Sequence, residues 1–106
     1  MEKPDLRHTA STPASVLAPR GELDLDSLGP LTAQIEAAVD AHETIILDAG
    51  GITFADSSFL RLILTTHDRA DLRIANPSPT VDRLLRIVGA DAFLHLYPTL
   101  DAARNA

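Results

Sequence analysis

The 106-residue chain has no cysteine and no tryptophan. Without cysteine there is no disulfide, no thiolate metal site and no cysteine nucleophile, and thiols say nothing about the redox compartment. Aromatic residues are 4% against 45% hydrophobic residues overall, so the core must be built from Leu, Ile, Val and Ala. Lysine is almost missing: Lys3 is the only one, the other basic residues are arginines, and the net charge is -6. Such a chain lacks the basic footprint that a phosphate backbone demands, so no direct nucleic-acid partner is expected. No apolar run approaches the roughly 20 residues of a membrane span. The opening "MEKPDLRHTAS" has no apolar stretch after its charges, unlike a secretory signal. The expectation is a cytoplasmic protein with no membrane insertion.

The length suits a single domain, residues 1–106, with one real core. "DLRHTAST" and "SVLAPRGEL" flank the turn-like "STPAS" and read as a hairpin, with Pro19 marking an edge or a strand end. From Leu25 to Val39, apolar residues recur at spacings of three and four, which predicts an amphipathic helix with Pro30 in its first turn. "TIILD", Thr44 to Asp48, is a short apolar run suited to a strand buried on both faces. "AGGITFADS" reads as a loop, followed by a helix to about Ala70 whose apolar face is Leu60, Ile63, Leu64 and His67. Leu72 to Ala75 predicts another strand. Val81 to Val88 predicts a helix stopped by Gly89, "FLHLY" a last strand and "TLDAARNA" a final helix. Strands alternating with helices imply an α/β layered fold with mostly parallel pairing after the hairpin.

In such folds, ligands and reactive groups collect where strands run into helix N-termini. "GITFADSS" and "RGELDLDS" are two such places, and they meet if their strands are neighbours. At Asp56, Ser57 and Ser58 two readings stand side by side. One residue caps the helix while the others fill its first turn, or a hydroxyl there is chemically used. Catalysis by Ser57 itself would need an oriented base, and His8, His42, His67 and His95 offer no obvious partner. His67 is best read as a packed histidine and the protein as a non-enzyme. The acidic set Glu22, Asp24 and Asp26 is better read as first-turn helix acids than as a metal site. "GG" at Gly50 lacks the lysine and spacing of a phosphate-binding loop, so no cofactor or metal is expected. A second stripe on the Ser57 helix, Phe59, Leu62 and Thr66, either packs against a neighbouring helix or meets a partner.

"GELD" from Gly21, "ILDAGGITFADSSFLRLIL" from Ile46 and "IANPSPTVDRLLRIVGAD" from Ile74 together resemble the STAS domain of bacterial anti-sigma factor antagonists. The resemblance implies the STAS fold: a mixed sheet of about four to five strands with about four helices. It further implies that Ser57 is phosphorylated by a partner anti-sigma factor, a serine kinase. The unmodified antagonist binds that kinase and frees a sigma factor, phosphorylation breaks the complex, and a serine phosphatase restores it. By the same match Asp24, Asp56 and Ser58 fall on the kinase-binding surface. Phe59 stands on that surface where relatives commonly carry Gly, an aromatic ring that implies either a changed partner or an antagonist that binds without being switched. An alternative within the same resemblance is an accessory subunit of a membrane lipid or solute transport complex, bracing an ATPase without phosphotransfer. Nothing in the sequence demands more than a monomer.

Overall fold

Residues 13–106 are described by the computed structural model, and the segment read as the first half of a hairpin lies outside them. The element order is β1 (Ala14–Leu17), β2 (Gly21–Leu23), α1 (Gly29–Asp40), β3 (Thr44–Asp48), β4 (Ile52–Ala55), α2 (Ser57–Arg69), β5 (Leu72–Ala75), α3 (Pro79–Ile87), a 3-10 turn (Ala90–Ala92), β6 (His95–Tyr97) and α4 (Leu100–Arg104).

The apolar run "TIILD" is indeed the central strand. β3 is hydrogen-bonded to β1 on one side and β5 on the other, in a four-stranded sheet of order β1-β3-β5-β6 whose pairs are all parallel. Ile45, Ile46 and Leu47 are fully buried because both faces of the sheet are covered. Ile45 and Leu47 join a cluster with Leu31 and Ile35 of α1, Phe59 and Ile63 of α2, and Val81 and Leu85 of α3. On the opposite face Ile46 packs with Ala75 and with Ala103 of α4. Arg73 fastens that last helix by donating to the Ala103 carbonyl at 2.8 Å.

The segment "SVLAPRGEL" is not one strand. It breaks at Pro19 into β1 and β2, and β2 leaves the main sheet to pair in parallel with β4 in a separate two-stranded ladder. Proline has no N–H to donate, so the ladder ends where the ring begins. The supposed loop "GITFA" therefore contains a strand. Its exposed middle hid it: Thr53 and Phe54 are both exposed, and only Ile52 is buried.

The first helix starts at Gly29 rather than near Leu25. The Asp24 carboxylate accepts from the backbone N–H of Asp26 at 3.0 Å and of Ser27 at 3.1 Å, forming a turn that competes with helix. The acids Glu22, Asp24 and Asp26 thus precede the helix, and none lies in its first turn. Pro30 sits at the helix start as expected. Gly89, at φ 76°, supplies the left-handed residue just past α3.

Candidate functional site

β2 and β4 end side by side, with Leu23 in register with Ala55, so the segments starting at Asp24 and Asp56 leave the small ladder as neighbours. The N-cap of α2 is Asp56, in extended conformation. Its carboxylate accepts from the N–H of Ser58 at 2.9 Å and of Phe59 at 3.4 Å, satisfying two donors that a helix start otherwise leaves free. Ser57 is the first helical residue and is exposed, while Ser58 is half-buried. With Asp56 acting as the cap, the Ser57 hydroxyl is released from that task and presented to solvent.

Asp24 is half-buried and carries a structural load. Beyond the two backbone contacts, its Oδ1 lies 3.0 Å from Ser27 Oγ, which in turn accepts from the Asp24 N–H at 2.9 Å. The carboxylate therefore shapes the turn next to Ser57.

Phe59 requires a correction. Its ring is fully buried in the core, so it is not part of a surface that a partner could touch. The buried face of α2 is Phe59, Ile63 and Thr66, with the Thr66 hydroxyl satisfied by the Leu62 carbonyl at 2.7 Å. Leu60, Leu64 and His67, expected to form that face, are only half-buried. The His67 ring lies 5.3 Å from that of His95, and its Nδ1 is buried with no hydrogen-bond partner among the described residues.

Leu62 does reach the surface, in a groove between α1 and α2. Leu25, Leu28 and Ala33 line one wall, and Ser57, Arg61, Leu62 and Thr65 the other, around a volume of about 830 Å³. The two helices are tied together at the end away from Ser57. Arg69 donates to both oxygens of Glu36 at 2.7 and 3.0 Å, whereas small residues, Gly29 and Ala33, occupy the α1 wall beside Ser57. Arg69 hydrogen bonding holds the Glu36 carboxyl below its usual value and raises the guanidinium's own. Leu25, 76% exposed, stands at the groove rim. The sequence reading missed it by placing it inside the helix. The available signal was its place between two aspartates, Asp24 and Asp26, ahead of the helix start marked by Gly29 and Pro30.

The site thus brings together an exposed hydroxyl at a helix start, the Asp56 carboxylate and an apolar groove. Among the described residues no group of three or more His, Asp or Glu could hold a metal ion, and no helix is long and apolar enough to cross a membrane.

A family model described as "Mlab, STAS domain" matches residues 7–98. The chain belongs to the STAS domain family. The STAS fold also appears in solved structures. An anti-sigma factor antagonist from Mycobacterium paratuberculosis superposes with a TM-score of 0.79 at 26% identity, over 87% of this chain and 83% of that one. The anti-sigma factor antagonist SpoIIAA, in its unphosphorylated form, gives 0.67 at 26% identity, over 81% of each chain. A Thermotoga maritima protein proposed to be of the same class gives 0.75 at 18% identity, covering 94% of this chain and 97% of its own, which speaks for the fold alone. Among curated proteins no significant match is found.

Proposed function

We propose that this STAS domain is a non-enzymatic, single-domain anti-sigma factor antagonist. It binds an anti-sigma factor serine kinase in the cytoplasm as a monomer, so releasing a sigma factor, and phosphorylation of Ser57 ends the interaction until a serine phosphatase removes the phosphate. The observation that carries this reading is the exposed Ser57 hydroxyl at the first turn of α2, relieved of capping by Asp56 and set at the edge of the apolar groove. The similarity to anti-sigma factor antagonists over more than four-fifths of the chain supports it.

The unmodified surface offers a partner apolar contact at Leu25 and Leu62 and polar contact at Ser58 and Asp56. Phosphorylation adds about -1.5 to -2 charges next to the Asp56 carboxylate and close to Asp24, at a surface that must be desolvated on docking. Repulsion and bulk at the contact suffice to weaken the complex with no change of fold.

A second reading, a STAS subunit bracing the ATPase of a lipid or solute transport complex, would use the same groove without phosphotransfer. The two separate in one experiment. The protein and its Ser57→Ala and Ser57→Asp variants are titrated against the anti-sigma factor kinase with ADP, and the wild type is then incubated with ATP and mapped by mass spectrometry. Binding by wild type and Ser57→Ala, loss by Ser57→Asp, and phosphate on Ser57 support the switch. No complex and no phosphate would sink it.

A further inference from the structure

We propose that Arg61 is the intramolecular counter-ion of the phosphoryl group on Ser57, holding it along the α2 wall of the groove. The inference rests on the reading that Ser57 is modified, and it names how the modified state is held.

The usual place for a phosphate at a helix start is the cluster of free backbone N–H groups. In α2 the N–H groups of Ser58 and Phe59 already donate to the Asp56 carboxylate. A dianion on Ser57 thus meets the Asp56 carboxylate at the helix end and a cap whose donors are already engaged, so the terminus holds it less well than an uncapped one would.

What lies in the other direction is a cation. Arg61 is four residues on, one turn down the same helix face, where side chains sit about 5–6 Å apart at Cβ. Both residues are exposed, and both line the same wall of the groove. An acidic group one turn N-terminal to a basic one is the favourable order on a helix, and a guanidinium matches two phosphate oxygens at once. Three other arginines are committed elsewhere, Arg69 to Glu36, Arg73 to Asp71 and Arg86 to Asp82, and none of Arg20, Arg83 and Arg104 lines this groove. Arg61 forms no ion pair with a described residue. The bridged pair would lie over Leu62 and face Leu25, so that modification removes the apolar groove from the docking surface as well as adding charge to it.

The test installs phosphoserine at position 57 during synthesis, so it requires no kinase. The phosphate is titrated by 31P NMR in the full chain and in its Arg61→Ala and Arg61→Lys variants, with circular dichroism confirming that each is folded. A guanidinium contact favours the dianion, so the second phosphate ionisation should lie about 0.3–0.5 pH units lower in the wild type than in Arg61→Ala. The gap should shrink in high salt, and Arg61→Lys should recover part of it. Identical midpoints in wild type and Arg61→Ala would overturn the proposal. Failure of the kinase to modify Ser57 would count against the switch and leave this measurement unaffected.

Discussion

Replacing Phe59 decides whether this residue belongs to the core or to a partner's footprint. The ring is fully buried, in one cluster with Ile63, Val81 and Leu85. Truncating a buried Phe to Ala costs about 3–5 kcal/mol through lost burial and the cavity left behind. Alanine returns up to about 0.5 kcal/mol in helix propensity, leaving a net loss of roughly 3–4 kcal/mol. Small domains hold only about 5–15 kcal/mol in total, so Phe59→Ala should be close to the edge of folding. With a urea slope of about 1–1.5 kcal/mol/M for a chain of this length, the unfolding midpoint should fall by roughly 2–4 M. Phe59→Leu, which keeps most of the volume, should cost less than about 1.5 kcal/mol. Phe59→Gly, the residue common at this point in the resembled family, should be the worst of the three, adding about 1 kcal/mol of helix penalty. Urea unfolding followed by far-ultraviolet circular dichroism reads all of this. A midpoint for Phe59→Ala within about 0.5 M of wild type, at unchanged slope, would refute the reasoning, since surface positions typically move stability by no more than about 0.5 kcal/mol.

Asp56→Ala should cost about 1 kcal/mol and Asp56→Asn almost nothing, because the amide oxygen can cap the same N–H groups; equal losses in the two melts would mean that charge, not capping, is what α2 uses there. Glu36 titrates below its ordinary 4.5 because Arg69 hydrogen-bonds to its charged form. A depressed folded value gives stability that is present above the unfolded value and lost as the pH falls through the folded one. Arg69→Ala should therefore move the Glu36 midpoint up towards 4.5 in carboxyl NMR and abolish its part of the acid-limb dependence; a midpoint that stays put would deny the pair.

The elements most legible in the sequence were those that the sheet buries on both faces. Thr44–Asp48 and Leu72–Ala75 match their apolar runs residue for residue, because a central parallel strand has no reason to interrupt them. β4 was not legible, since a four-residue strand in a two-stranded ladder needs no apolar alternation. On α2 the periodicity gave two apolar stripes and no means of choosing between them. Spacing fixes that a helix has a buried face, and only the packing of its neighbours fixes which. That ambiguity left Phe59 open between a neighbouring helix and a partner, and the resemblance put it on the partner's side; His67, read as a packed histidine, does bury its Nδ1. At the site, the motif placed Ser57 at the start of the helix, but the division of labour with Asp56 is a matter of dihedral angles and hydrogen bonds. The groove was invisible because it needs Leu25 to lie outside the helix, and this follows from the Asp24 turn.

The small β2–β4 ladder has a further consequence. It carries the Ser57 end of α2, yet its pairing stands apart from the four-stranded sheet, joined to the rest through α3, whose Thr80 hydroxyl donates to the Thr53 carbonyl at 3.3 Å. Two strands of three and four residues form a weak cooperative unit by themselves. Leu23 and Ile52 nonetheless bury into the same core as β3 and β5, so opening the ladder costs their burial as well as its few hydrogen bonds. The Ser57 end of α2 is therefore mounted on a short ladder held more by these two buried side chains than by its own pairing.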